Sequence, residues 1–246
     1  MIKETLVHFK NGRFRLSGVL ALPSKKTKSA IIFVNSFQGT YQQEYYAITA
    51  TREFCKKGFA TLRFNPRDRW PGNGKMADTG LFDQIKDLEA AVGLMKKKGY
   101  EKIGLMGHSQ GGLNIILANK KDINAIVLLE PSIVKGWATP AILESGFKKY
   151  YINEQYGVLM SKKFLGDFIK LKNATPYLKK IKCPVMFIVG DKNYLTKYVR
   201  SYYKNANNPK ALKIIKGASH TFELYAHERK MLDYSVSWFK KWLKQS

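Results

Sequence analysis

The sequence is poor in acidic side chains, in cysteine, in histidine and in long apolar runs, and these shortages narrow what the chain can be. Its 246 residues hold 18 Asp and Glu against 43 Lys and Arg, a formal net charge of +25. Such an excess of base favours nucleic acid, anionic lipid or acidic polymers as partners. The lysines are scattered along the whole chain, however, and no nucleic-acid module accompanies them. No specific nucleic-acid partner is expected; a basic surface-binding module for anionic partners would need its lysines gathered on one face of the fold. The two cysteines, Cys55 and Cys183, are far apart and make neither metal nor disulfide spacing. They read as small buried side chains on a helix and at a strand start. No stretch approaches the roughly 18 uninterrupted apolar residues of a membrane span. The segment from Met1 to Phe14 has no apolar run like a secretory signal, so a cytoplasmic location is expected.

What is present points to an α/β protein. At 45% hydrophobic residues the chain can bury a full core, and one domain over residues 1–246 is the default expectation. Thr5 to Phe9 and Phe14 to Leu22 alternate around Asn11-Gly12, which predicts an antiparallel hairpin. Apolar runs at Ala30 to Val34, Phe59 to Phe64, Ile103 to Met106, Ile123 to Leu129, Pro184 to Val189 and Ala211 to Ile215 then alternate with stretches of helical spacing. That rhythm predicts a mostly parallel sheet with helices on both faces. It breaks between residues 131 and 182, an aromatic stretch that reads as a small, mostly helical cap inserted over the sheet's carboxyl edge.

The chemistry concentrates at Gly107-His108-Ser109-Gln110-Gly111, which lies between a hydrophobic strand and a helix. A G-x-S-x-G turn in that context holds its serine exposed at the top of a sheet, and the glycines let strand and helix pack closely. Ser109 is the candidate nucleophile. It needs a base of suitable pKa, and a neutral imidazole provides one. Of the four histidines, His8 lies in the hairpin, His108 is locked beside the serine and His227 lies in the last helix, whereas His220 sits on a loop after the last strand.

The opening hairpin, the Asn35 to Gly39 loop, the stretch from Leu62 to Asp68, the serine turn, the strand end at Gly190-Asp191-Lys192-Asn193 and the Gly217 to Phe222 loop come in the order of an α/β-hydrolase. The chain resembles the small serine esterases of the cinnamoyl and feruloyl esterase and dienelactone-hydrolase-like branch. The resemblance implies an α/β-hydrolase fold and a serine carboxylic-ester hydrolase, with thioesters or lactones open to the same machinery. It implies an acyl-enzyme on Ser109, His220 as general base, and an oxyanion hole from the Phe37 and Gln110 amides. A small-molecule ester is the implied substrate, with no metal or organic cofactor, and the protein would be a monomer or homodimer.

Two departures from the family pattern stand out. The loop that reads His-Gly-Phe in relatives is Asn35-Ser36-Phe37 here, and the position that commonly carries the triad acid is Asn193. Two carboxylates are open as the acid, Asp191 on the same loop and Glu130 at the end of the strand after the nucleophile helix. Glu130 is preferred, since a charge directly after Ile126-Val127-Leu128-Leu129 is unexpected unless it is paired. Trp70 and Trp137 are candidates for the walls of a substrate pocket. The competing expectation is a degenerate hydrolase fold used for binding.

Overall fold

The computed structural model describes residues 2–43, 45–119, 121–132, 142–144, 150–153, 158–171, 173–193 and 196–244. The hairpin forms as expected from β1 (Lys3–Asn11) and β2 (Phe14–Leu22), with Asn11 paired to Phe14. Gly12 and Arg13 are the central turn residues, and Gly12 adopts φ 56°, which glycine reaches without steric cost.

The remaining strands of the main sheet are β3 (Ser29–Val34), β4 (Ala60–Asn65), β5 (Lys102–His108), β6 (Ala125–Leu129), β10 (Val185–Gly190) and β11 (Lys210–Ile215). The sheet has eight strands in the order β1-β2-β4-β3-β5-β6-β10-β11. The pairs β1/β2 and β2/β4 are antiparallel and every other pair is parallel. All parallel strands therefore end on one edge, and β5, with the serine turn at its end, lies in the middle.

Two apolar layers hold the sheet, and strand alternation divides residues between them. Ile31 and Phe33 of β3 pack with Phe54 of α1 (Tyr45–Lys56) and with Met231 and Phe239 of α7 (Tyr225–Leu243). Ile32 and Val34 face the opposite layer, with Leu88 and Val92 of α2 (Leu81–Lys97), Ile116 of α3 (Gln110–Ala118) and Val199 of α6 (Thr196–Asn205). The continuous apolar runs of β3, β4, β5, β6 and β10 are thus strands buried on both sides, whereas β11, at the edge of the sheet, leaves Lys213 and Ile214 exposed. Cys55 and Cys183 are free thiols, and burial pushes both up to about 11.

The insertion lies between β6 and β10, and among its described residues helices occupy the later part. Before them come three short antiparallel strands, β7 (Ile142–Glu144), β8 (Tyr150–Asn153) and β9 (Val158–Ser161), in the order β7-β8-β9. Aromatic and β-branched residues in Tyr150-Tyr151-Ile152 favour strand, which an expectation of mostly helical structure overlooked. Two helices follow, α4 (Lys162–Leu171) and α5 (Thr175–Leu178). Ser161 caps α4 by accepting from the Phe164 amide at 2.9 Å, and it donates to the Thr79 carbonyl at 2.9 Å. Phe164 meets the Phe37 ring with centroids 5.3 Å apart, which ties the insertion to the Asn35 to Gly39 loop. Among the described residues, no helix is long and apolar enough to cross a membrane.

Candidate active site

Register brings the functional residues together. His108 ends β5 opposite Leu129 of β6, and Leu129 lies opposite Ile188 of β10. The next residue along β5 is Ser109, and the next along β6 is Glu130. The Ser109 amide donates to Leu129 O at 2.9 Å, and the Glu130 amide donates to Ile188 O at 3.0 Å.

Ser109 sits at φ 52°, ψ −116°, between β5 and the first turn of α3. A non-glycine residue there is strained, and such strain persists only where surrounding structure enforces it. Gly111 shows the enforcement: a Cβ at that position would lie 2.1 Å from Val34 O and 2.6 Å from Asn35 O. The start of α3 is thereby pressed against the end of β3 and the loop that carries Phe37. Gln110, the first residue of α3, has an amide with no intrahelical acceptor, the type of group that can serve an oxyanion. Among the described residues, five non-glycine residues have positive φ: Gln38, Ser109, Asn119, Glu130 and Phe222. All but Asn119 lie on the segments that build this site.

His220 is carried by the loop after β11 and approaches the elbow through a gap that only glycine allows. A Cβ on Gly190 would fall 2.2 Å from Ala218 O. His108 Nε2 donates to the His220 carbonyl at 2.8 Å, and the two imidazole rings lie 4.8 Å apart. His108 therefore holds the loop of the second histidine, a role its position beside the serine did not suggest.

The Nδ1 face of His220 meets Asn193, whose side-chain amide lies 2.8 Å from Nδ1 and 2.9 Å from Glu130 Oε2. Glu130 Oε2 is itself 3.9 Å from Nδ1, and Glu130 Oε1 accepts from the Gly190 amide. The order is imidazole, carboxamide, carboxyl. The carboxyl brought to His220 is that of Glu130 and not that of Asp191. Asp191 is exposed and accepts from the Gly217 amide at 2.6 Å, tying the loop after β10 to the loop after β11 instead of facing the ring. The expectation that left Asp191 open saw only its nearness in sequence to Asn193.

Glu130 is fully buried, and burial pushes its carboxyl up to about 8 against the opposing hydrogen bonds from Gly190 and Asn193. Burial holds the His220 imidazole down at about 4. At neutral pH both groups are uncharged in the folded protein. A folded-state carboxyl pKa above the unfolded value makes stability fall as pH rises between the two. His220 stays neutral through the upper part of that window. Glu130→Gln is therefore expected to match the wild type in melting temperature near pH 5 and to exceed it at pH 9, where the wild type buries a charge. The gap corresponds to ~2–5 kcal/mol. Thermal melts of both proteins across this range check it, and equal melting temperatures at pH 9 would contradict it.

The Ser109 hydroxyl has as its partner the Ser132 hydroxyl, 3.0 Å away and buried, while the Ser132 amide donates to Ser109 O at 3.1 Å. Sequence reasoning missed Ser132; the only local sign is its place two residues after Glu130. Phe37 lies with Gln38, Asp68, Arg69, Gln84 and Phe164 around a narrow cavity between its own loop, the loop after β4 and the insertion. Trp70 does not line this cavity; the residue is 79% exposed, and the loop buries Arg67 and Arg69. What holds Trp70 is its carbonyl, which accepts from Asn65 Nδ2 at 2.8 Å. Trp137 lies outside the described residues. Among the described residues, no cluster of His, Cys, Asp and Glu has the arrangement of a metal site.

No protein-family model matches the sequence, and no curated protein matches it. Solved structures do match in fold. Est1E from Butyrivibrio proteoclasticus, with ferulic acid bound, superposes with a TM-score of 0.76 at 19% identity, over 95% of this chain and 99% of that one. The α/β hydrolase GrgF from Penicillium sp. sh18 gives 0.78 at 18% identity, over 98% and 99%. A dienelactone hydrolase from Anabaena variabilis ATCC 29413 gives 0.73 at 18%, over 99% of both chains. These likenesses establish the α/β-hydrolase fold expected from the sequence.

Proposed function

We propose that this α/β-hydrolase-fold chain is a serine hydrolase of carboxylic esters. The observation that carries the reading is Ser109, held at positive φ on a strand-to-helix turn beside the string His220, Asn193, Glu130. The esterases and hydrolases among the structural neighbours support it as fold-level analogy. In this mechanism His220 Nε2 takes the Ser109 proton as Oγ attacks the ester carbonyl. The Gln110 and Phe37 amides receive the oxyanion, the imidazolium protonates the departing alcohol, and water repeats the sequence to release the acid.

In the resting site Ser109 bonds to Ser132, so substrate entry has to shift the hydroxyl toward His220; such bonds commonly align only in the substrate complex. Asn193 is the positioning residue on Nδ1. A carboxamide can present either its oxygen or its NH2 there. Catalysis needs the oxygen, which keeps the proton on Nδ1 and leaves Nε2 free as base. In the structure the NH2 faces both Nδ1 and Glu130 Oε2, so the carboxamide has to turn over for its oxygen to reach Nδ1.

The degenerate, ligand-binding reading is favoured by one observation, the amide in place of a carboxylate directly against Nδ1. Incubation with a fluorophosphonate, peptide mass mapping and assay with a short-chain aryl ester separate the two. Ester turnover together with an adduct on the Ser109 peptide is expected. Folded protein that neither turns over ester nor takes up the probe would leave the binding reading in its place.

A further inference from the structure

The edge of the sheet opposite Ser109 carries a second concave feature. At this edge β3 begins with Ser29 and β5 with Lys102, paired in register, and the Glu101 and Lys102 amides both donate to Lys28 O. The loop that leads into β3 is thereby held against the last turn of α2. Between them lies a cleft of about 440 Å³ lined by Lys25, Lys26, Lys28, Lys98 and Tyr100, with Ser24 and Thr27 alongside. The seven-residue strand β5 separates it from the serine by roughly 20 Å.

Its charge is out of balance in a way the catalytic edge is not. There, Arg67 pairs with Asp87 and Asp83, Arg69 with Asp68, and Lys163 with Asp83. In the cleft Lys28 pairs with Glu101 at 2.9 Å, while Lys25, Lys26 and Lys98 have no acidic partner among the described residues. The dipole of α2 accounts for cations at its carboxyl end, namely Lys96, Lys97 and Lys98. It does not account for Lys25, Lys26 and Lys28, which lie on a loop. Lysines that line one cleft without acidic partners raise its positive potential and favour an anion there.

We propose that this cleft is a binding site for a linear oligophosphate, either a free polyphosphate or the phosphate chain of a nucleotide. Several flexible, strongly hydrated ammonium groups suit closely spaced phosphates, which take lysine as a point charge. A lone carboxylate would leave most of them unneutralised. The volume is that of a small-ligand pocket. Leu22, Pro23 and Tyr100 give the cleft apolar walls, but none of the large apolar side chains that stand exposed elsewhere, Trp70, Leu224 and Tyr225 among them, lies in it, so it lacks the protruding anchors of a lipid-inserting surface.

Calorimetric titration of the full chain with tripolyphosphate, ATP, orthophosphate and a short single-stranded oligonucleotide, at low and high salt, tests the site. Tripolyphosphate is expected to bind more tightly than orthophosphate and to weaken as salt rises. ATP binding equal to tripolyphosphate would identify the phosphate chain alone as the ligand, and tighter ATP binding would identify a nucleotide. The combined Lys25→Glu, Lys26→Glu, Lys98→Glu variant should lose about tenfold or more in affinity, since it replaces three of the cleft's cations with anions. A charge-matched control, Lys170→Glu, Lys216→Glu, Lys230→Glu, alters exposed lysines that do not line the cleft and should bind like the wild type. Melting curves verify that both variants fold. No tripolyphosphate binding, equal losses in the two variants, or binding of the oligonucleotide alone would each overturn the proposal.

Discussion

Ser109→Ala is expected to reduce aryl-ester turnover by on the order of 10⁵-fold while leaving the melting temperature close to that of the wild type. The size of the loss follows from the geometry around the residue. Ser132 places a second hydroxyl 3.0 Å from the Ser109 oxygen, yet proximity does not make it a substitute nucleophile. It leaves the chain from the segment after β6, whereas the Gln110 amide that would receive the oxyanion belongs to the turn that carries Ser109. A carbonyl seated to receive attack from Ser109 is therefore aligned with the oxyanion donors, and one attacked from Ser132 is not. Removing Oγ also frees Ser132 of its partner, so a small residual rate by direct water attack is expected, without an acyl-enzyme. Initial rates together with intact-mass measurement during turnover check this. A variant that kept a tenth of the wild-type rate would show that the chemistry lies elsewhere.

Asn193→Asp is expected to increase kcat/KM at pH 7 by roughly tenfold or more, the reverse of the large loss seen when a triad aspartate becomes asparagine. In the wild type the charge that could stabilise the imidazolium belongs to Glu130, 3.9 Å from Nδ1, and its carboxyl is held neutral up to about pH 8. The wild-type rate should accordingly rise through an alkaline step near that value, after an acid limb near 4 set by His220. In the variant a carboxylate would stand 2.8 Å from Nδ1 and 2.9 Å from Glu130. Two carboxyls so close share a proton, and the first to ionise does so well below neutrality. The variant's profile should therefore reach its plateau before pH 7 and lose the step near 8. Glu130→Gln should also remove that step, from the opposite direction, by leaving the rate at its lower level throughout. If Asn193→Asp left both rate and profile unchanged, the residue would have no part in orienting His220.

The elements that can be read from local pattern were legible in the sequence. The hairpin around Gly12, the buried strands on either side of the serine and the elbow at Ser109 are each specified by neighbours within a few residues. Glu130 was legible for a different reason, because a carboxylate after an apolar strand needs a partner. What stayed hidden depends on contacts between distant segments. Ser132 reaches Ser109, and His108 reaches His220, only because β5, β6 and the loop after β11 end at one edge of the sheet. The three strands of the insertion are too short for their alternation to stand out from an aromatic background. Trp70 reads as a pocket wall because of its size, but the loop instead buries Arg67, which pairs with Asp87 of α2 at 2.9 Å. Asp191 looks like an acid because it lies near Asn193, whereas in the fold its carboxylate ties the loop after β10 to the loop after β11.

The pairing of Leu129 with Ile188 sets the ends of β6 and β10 side by side, so that Glu130 and Asn193 address one imidazole from neighbouring strands. Neither position needs the backbone to move for it to carry the acid. The two strand ends thus offer one imidazole two neighbouring places from which a carboxyl can reach it, one occupied by Glu130 and the other by an amide.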